Sequence, residues 1–159
     1  MGSTTEDSDA PDTDDFETLQ VSREDSVARV VLDRPDALNT ITPTLLDELA
    51  RTVDALDADS DVRCLLVTGA GDRAFSAGAE LSALAADDMT GPDGVELARK
   101  GQQAFGRLEA CDTPVVAAID GFCLGGGMEL ATAADLRIAT EDSTFGQPEH
   151  DLGLLPGWG

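Results

Sequence analysis

Two short apolar runs constrain the fold of this chain more than any other feature. They are Cys64–Thr68 (CLLVT) and Pro114–Ile119 (PVVAAI), and neither contains a charged residue. Uninterrupted apolar runs of this length are typical of parallel strands that are buried on both faces. Because helical patterns separate the two runs, we predict an α/β fold with a mostly parallel sheet.

The rest of the chain alternates between strand-like and helix-like patterns. The runs Thr18–Val21 and Val27–Leu32 flank a polar turn, which predicts a hairpin. Thr42 is a good N-cap with Pro43 after it, and apolar residues then recur at helical spacing to about residue 59. We also predict helices at 81–86, 95–111 and 128–134, a glycine-rich turn at 121–127 and a strand at 136–139.

Charge is the extreme feature of the composition. The 159 residues contain 32 Asp and Glu against 10 Lys and Arg, a formal net charge of −22. This charge argues against nucleic-acid binding and against an anionic membrane surface. Concentrated salt screens the self-repulsion of such a surface, so we predict a protein of a halophilic cytosol, with an ordinary acidic protein as the alternative.

Neither a membrane helix nor a disulfide framework is predicted. No apolar stretch approaches eighteen residues, and the first residues lack the pattern of a secretory signal, which favours a cytoplasmic protein. The three cysteines, Cys64, Cys111 and Cys123, form no CxxC pair and predict neither disulfides nor a metal site. Residues 1–15 are acidic and predict a disordered tail, and residues 16–159 predict one domain. Because the sequence stops in a loop-like segment, 153–159, we expect a chain truncated at its C-terminus.

Two glycine-rich segments follow the apolar runs. The segment Gly69–Ala74 matches GxGxxA, but the residues after it continue as a loop, so a tight turn is favoured over a dinucleotide site. The segment Gly121–Gly127 lacks the Lys and Ser or Thr of a P-loop. Glycines that enter a helix offer unpaired N–H groups to a transient oxyanion, and close backbone packing is the alternative explanation.

Two acids and the single histidine are candidate functional residues. Glu129 lies in a helix that is apolar on nearly every side, which predicts a buried carboxylate, with a charge complementing the helix N-terminus as the alternative. Glu149 lies in a loop, where most acids are solvated. His150 has no second His or Cys at metal-ligand spacing, so we expect a structural role rather than catalysis or zinc binding.

Six motifs, in order along the chain, resemble those of the enoyl-CoA hydratase/isomerase (crotonase) family. They are 34–39 (RPDALN), 74–81 (AFSAGAEL), 113–121 (TPVVAAIDG), 125–131 (GGGMELA), 145–149 (FGQPE) and 152–159 (LGLLPGWG). The resemblance implies the N-terminal portion of a crotonase-like (ClpP/crotonase) ββα spiral core, without the C-terminal helical region. It also implies an acyl-CoA or enoyl-CoA thioester as the ligand, no cofactor, and a homotrimer or hexamer for the full-length protein.

The resemblance also assigns site residues by motif position. The backbone N–H groups of Ala79 and Gly126 would hold the thioester oxygen. Glu129 and Glu149 match the two glutamates with which hydratases of the family position water and transfer protons. The substrate and CoA contacts would fall on Asp36, Ala37, Leu38, Ala77, Gly78, Glu80, Leu81 and Gly125.

This sequence departs from the family pattern at the substrate contacts. Asp36 stands where a basic residue is common, and Ser82 stands where some relatives have Lys. Glu80 replaces the usual Asp, and His150 occupies a position that is commonly aliphatic. These differences bear on the contacts to the CoA phosphates and on chain-length preference.

The presence of both glutamates favours an enoyl-CoA hydratase, which adds water syn across the 2,3 double bond. In that reaction we expect Glu149 to protonate C2 and Glu129 to help activate water. The alternatives are a Δ3,Δ2-enoyl-CoA isomerase or another crotonase chemistry, and a non-catalytic acyl-CoA-binding fragment.

Overall fold

The computed structural model of this chain describes residues 16–80 and 91–159. The predicted acidic tail, residues 1–15, and the predicted helix at 81–86 lie outside these residues. The described helices are α1 (Pro43–Ala58), α2 (Gly91–Glu109) and α3 (Gly126–Ala133). The strands are β1 (Leu19–Glu24), β2 (Val27–Leu32), β3 (Cys64–Gly69), β4 (Ala74–Ser76), β5 (Val115–Ile119), β6 (Phe122–Leu124), β7 (Leu136–Ala139) and β8 (Thr144–Gly146).

The strands form two sheets. The larger has the order β1-β2-β3-β5-β7, in which β1 and β2 are antiparallel and the other pairs are parallel. The smaller sheet has the order β4-β6-β8 and is parallel throughout. The predicted hairpin and the predicted mostly parallel α/β architecture are therefore confirmed.

One face of the larger sheet packs against the helices. The N-cap of α1 is as predicted, because Oγ1 of Thr42 accepts the N–H of Leu45 at 3.1 Å. Side chains of α1 and α2 share one buried cluster with the strands; its largest fully buried members include Leu32, Leu45, Leu46, Leu49, Leu65, Phe75, Phe105 and Leu108. Within the described residues, no helix combines the length and the hydropathy needed to cross a membrane.

Several local expectations are wrong. The apolar runs are not buried on both faces, because Leu66 and Val116 are only half-buried while their neighbours in sequence are buried. The segment 121–127 is not simply a turn, since it contains β6. For Gly69–Ala74, by contrast, the favoured turn agrees with the structure: strand β4 begins at Ala74, where a dinucleotide site would need a helix.

Asn39 holds together the loops that precede α1 and follow β3. Its side chain is fully buried, and its Nδ2 donates to the carbonyl oxygens of Ala70 at 3.0 Å and Ala74 at 2.8 Å. Its Oδ1 accepts the N–H of Arg34 at 2.9 Å. The φ of Asn39 is +52°, in the left-handed region that Asn tolerates better than most residues. One side chain therefore satisfies three backbone groups from two loops.

We expect Asn39→Ala to lower the free energy of unfolding by about 3–5 kcal/mol, since it leaves those three backbone groups without partners. Urea unfolding would measure the change. Gln20→Ala is the control, because Gln20 is exposed and its Nε2 donates to the exposed side of the hairpin, at Oδ2 of Asp33. The control should change the free energy by at most about 0.5 kcal/mol. Equal losses in both variants would contradict the role of Asn39.

Candidate active site

A cavity of about 750 Å³ lies where the loop before α1, the segment after β4, the start of α3 and the C-terminal segment meet. Its size is that of a typical small-molecule site. Its lining comprises Ala37, Thr40, Ala77, Gly78, Ala79, Glu80, Gly94, Leu97, Ala98, Gly125, Gly126, Glu129, Pro148, Glu149, Leu154, Leu155, Gly157 and Trp158. Most of these residues are apolar or glycine, and two of the few charged side chains are Glu129 and Glu149.

The N–H group of Ala79 points away from the neighbouring segment, which contains Ile41. Ile41 and Ala79 form a parallel bridge, in which the N–H of Ile41 donates to Gly78 O at 2.8 Å. The N–H of Glu80 in turn donates to Ile41 O at 3.1 Å. In such a bridge the flanking groups make the hydrogen bonds, so the N–H of Ala79 points to the opposite side. Ala79 is also one of the residues that line the cavity.

A second N–H group comes from the first turn of α3. Gly126 is the first residue of this helix, and the first N–H groups of a helix have no intrahelical partner. A Cβ added to Gly78 would stand 3.2 Å from the nitrogen of Gly126. The two segments are therefore in close contact, which places the Ala79 segment beside the positive end of the α3 dipole.

Glu129 is buried beside this helix terminus, as predicted from its apolar neighbours, with 5% of its surface exposed. Its Oε1 accepts the N–H of Trp158 at 2.8 Å and the N–H of Gly159 at 3.0 Å. These two bonds offset the cost of burying a carboxylate. They also fix one oxygen, so the orientation of the group toward the cavity is set by the backbone of residues 158–159.

Glu149 approaches the same cavity from the 3₁₀ helix Pro148–Leu152, which follows β8. The N–H of Gly125 donates to Gly146 O at 2.9 Å, so the β6–β8 pairing brings this helix to the start of α3. In the amide orientation that satisfies both groups, Gln147 donates to Oε1 and Oε2 of Glu149 at 3.1 and 2.9 Å. The carboxylate therefore has a defined position.

An ion pair lies at the rim of the cavity. Nη2 of Arg34 is 2.8 Å from Oε2 of Glu80, and both side chains are partly exposed to solvent. Nη1 of Arg34 also donates to the carbonyl oxygen and the hydroxyl of Thr40. Arg34 therefore connects the loop before α1 to the segment that contains Ala79, a role that the sequence analysis did not assign to it.

Most of the site residues predicted from the sequence lie together in the wall of this cavity. Asp36 and Leu38 do not line the cavity: Asp36 is exposed, and the carbonyl oxygen of Leu38 accepts the N–H of Ala77. Leu81 lies outside the described residues. His150 is exposed, pairs with Asp151 at 3.1 Å and does not line the cavity. The nominated residues in the cavity wall are Ala37, Ala77, Gly78, Ala79, Glu80, Gly125, Gly126, Glu129 and Glu149.

The apolar part of the cavity wall was not predicted from the sequence. Leu97 comes from α2, and Leu154, Leu155 and Trp158 come from the C-terminal segment. The amphipathic pattern of α2 could have indicated a buried stripe, but it does not distinguish a core face from a cavity wall. These side chains make one side of the cavity suitable for an apolar chain.

Two of the three cysteines, Cys111 and Cys123, have raised pKa values. Burial raises the pKa of Cys123 to about 11. Burial, together with a hydrogen bond to Asp57, raises the pKa of Cys111 to about 12. Both thiols are therefore protonated, and poor nucleophiles, at neutral pH. In residues 16–80 and 91–159 no three His, Cys, Asp or Glu side chains form a group that could hold a metal ion.

Comparison with known proteins gives consistent matches. The family model described as "Enoyl-CoA hydratase/isomerase" matches residues 22–159. A short-chain-enoyl-CoA hydratase from Clostridium acetobutylicum is 40% identical over 139 residues, which cover 87% of this chain and 52% of the relative. A crotonyl-CoA hydratase from Syntrophomonas wolfei is 38% identical over 144 residues, covering 91% of this chain and 55% of the relative.

Solved structures agree. The structure of Pseudomonas aeruginosa DspI superposes with a TM-score of 0.89 at 36% identity, covering 95% of this chain and 56% of that protein. The chain thus spans about half the length of the curated relatives it matches. The crotonase-like core expected from the six motifs is confirmed by these matches, and the chain belongs to the enoyl-CoA hydratase/isomerase family.

Proposed function

We propose that this chain provides the active site of an enoyl-CoA hydratase. The observation that carries the proposal is that Glu129 and Glu149 line the same cavity as Ala79 and Gly126. The relatives from Clostridium acetobutylicum and Syntrophomonas wolfei bear hydratase names, which supports the same reaction.

The two backbone N–H groups would act as an oxyanion hole. A conjugated thioester is a poor electrophile at C3 until negative charge can move to its carbonyl oxygen. Donors at Ala79 and Gly126 stabilise that charge, and the dipole of α3 adds to the effect. One such donor is typically worth about 10²–10³ in rate.

The two carboxyl groups would move the protons. Glu129 accepts a proton from water while the water oxygen bonds to C3, and the π electrons move to C2 and the thioester oxygen. Glu149 then supplies the proton that forms the C2–H bond. One carboxyl gains a proton and the other loses one, so the pair carries one proton before and after the reaction. No cofactor enters these steps, because coenzyme A is part of the substrate.

The cavity wall supports an acyl thioester as the substrate. Leu97, Leu154 and Trp158 offer apolar contacts to an acyl chain, and Ala37 and Ala77 lie where the family resemblance places CoA contacts. Asp36 and Leu38, which the resemblance also nominates, stay predictions, as does Leu81. We also propose a homotrimer or hexamer for the full-length protein. Leu136 and Ile138 are exposed on strand β7, at the edge of the larger sheet, and offer an apolar contact surface.

Crotonyl-CoA hydration in concentrated KCl tests the proposal. We expect loss of the enoyl thioester absorbance and formation of 3-hydroxybutyryl-CoA, identified by mass spectrometry. Salt is included because the net charge of −22 predicts a fold that needs screening. Conversion of but-3-enoyl-CoA to crotonyl-CoA without hydration would favour the isomerase alternative. Binding of butyryl-CoA with neither reaction would favour a non-catalytic binder and would contradict the proposal.

A further inference from the structure

The indole of Trp158 occupies a site formed by two glycines on different helices. The side chain is 8% exposed and packs edge-to-face on Phe105, with ring centroids 5.8 Å apart. A Cβ added to Gly101 in α2 would overlap Cγ and Cδ1 of the indole. A Cβ added to Gly126 would overlap Cζ3 and Cε3. Neither helix could keep its present distance from the ring with a larger residue at these positions.

Gly101 is unfavourable for α2 on its own. A glycine inside a helix destabilises it relative to alanine, so its presence there indicates a packing or functional reason. Gly106, in the same helix, has no atom within 4 Å of its added Cβ. The absence of a side chain at Gly101 is therefore required by contact with the indole, whereas no such contact requires a glycine at Gly106.

The residue that carries this indole also holds Glu129. The N–H of Trp158 and the N–H of Gly159 donate to the same carboxylate oxygen. Gln102 in α2 donates to the carbonyl oxygen of Gly157 at 2.8 Å. Segment 157–159 therefore contacts α2 twice, through this hydrogen bond and through the indole at Gly101. The two donors belong to the peptide units on either side of the Trp158 Cα, so displacing the indole with its Cα displaces both of them.

We propose that Gly101 and Trp158 are positioning residues for Glu129. The fit of the indole against α2 sets the place of the two N–H donors and so aims the carboxylate into the cavity. Gly101 does not line the cavity and acts only through Trp158. The inference rests on the proposed function, since Glu129 is the group that activates water there.

Gly101→Ala should lower kcat for crotonyl-CoA hydration by about 10-fold to 100-fold, because a displacement near 1 Å costs a catalytic group up to about 10² in rate. KM should change by a much smaller factor, because the indole is one part of an apolar wall that Leu97 and Leu154 also form. Gly106→Ala is the matched control on the same helix and should leave both constants within about twofold of the wild type, since it meets no atom. Equal kcat in the two variants, or a loss confined to KM, would overturn the inference.

A double variant separates positioning from damage to the helix. In Trp158→Ala the ring is absent, so adding Gly101→Ala should cause no further loss of kcat. This comparison remains usable if Gly101→Ala alone does not fold, because the overlap is removed. A further loss of tenfold or more in the double variant would mean that Gly101 acts on the helix itself and would overturn the inference.

A readout without activity distinguishes this inference from the proposed function. The shifts in urea midpoint should be non-additive for Gly101→Ala, Glu129→Ala and the double variant. Each single change breaks the same two hydrogen bonds, those from the N–H groups of Trp158 and Gly159 to the Glu129 carboxylate, so the second change has little left to break. Non-additive midpoints in a protein that does not hydrate crotonyl-CoA would support the positioning role and contradict the hydratase. Additive midpoints would overturn the positioning role whatever the activity.

Discussion

Replacing Glu129 with Gln should reduce kcat for crotonyl-CoA hydration by about 10²–10⁴, and Glu149→Gln should have an effect of the same order. Gln keeps the size of the side chain and an oxygen that can accept the N–H groups of Trp158 and Gly159. It cannot accept a proton from water at neutral pH. KM should stay within about threefold, because the neutral amide removes proton transfer but leaves the cavity walls unchanged.

The control for this prediction is a second buried glutamate. Glu48 in α1 is 3% exposed, and its carboxylate accepts the backbone N–H groups of Glu17 and Thr18; none of these three residues lines the cavity. Glu48→Gln should lower the free energy of unfolding by about 1–3 kcal/mol while kcat stays within about twofold of the wild type. If Glu48→Gln lost as much kcat as Glu129→Gln, the loss in Glu129→Gln would reflect lower stability and not proton transfer.

The double variant tests whether the two carboxyl groups act as a unit. Because one complete turnover needs both groups, the loss in Glu129→Gln/Glu149→Gln should be far smaller than the product of the single losses. The residual rate would then measure the contribution of the two backbone donors. Turnover near the wild-type rate in either single variant would contradict a mechanism with two glutamates.

The features of the site that the sequence predicted are those with a local cause. The burial of Glu129 follows from the apolar residues around it on a short helix, and the structure confirms it. The cap of α1 follows from Thr42 and Pro43, which are adjacent to the helix that they start. In each case the physical cause lies within a few residues of the feature.

The features that were missed depend on contacts between distant segments. Strands β4, β6 and β8 contain three residues each, which is too few to establish a period of two. Their pairing nevertheless sets the distance between Gly125 and Glu149. Likewise, no local pattern indicates that the N–H of Trp158 bonds Glu129, because the donor is a backbone group available on almost any residue.

Gly125→Ala should reduce kcat by about 10²–10³ and also destabilise the protein. Gly125 has φ +50° and ψ −126°, a conformation that is essentially restricted to glycine. A Cβ there would stand 2.6 Å from Oε1 of Glu149. The carbonyl oxygen of Gly125 also accepts the N–H groups of Met128 and Glu129, so the residue starts α3. Relieving the strain must move either Glu149 or the N–H of Gly126, and each change removes one part of the proposed machinery.

Gly153→Ala separates the cost of the backbone conformation from the effect on Glu149. Gly153 has φ +70°, and no atom lies within 4 Å of its added Cβ. Alanine there should cost about 1–2 kcal/mol of stability through the left-handed conformation alone, and kcat should stay within about twofold of the wild type. Steady-state kinetics and urea unfolding on both variants would measure the two effects. If Gly125→Ala lost stability but kept the kcat of Gly153→Ala, the turn at Gly125 would be structural, and the oxyanion hole would have to be sought elsewhere in the cavity.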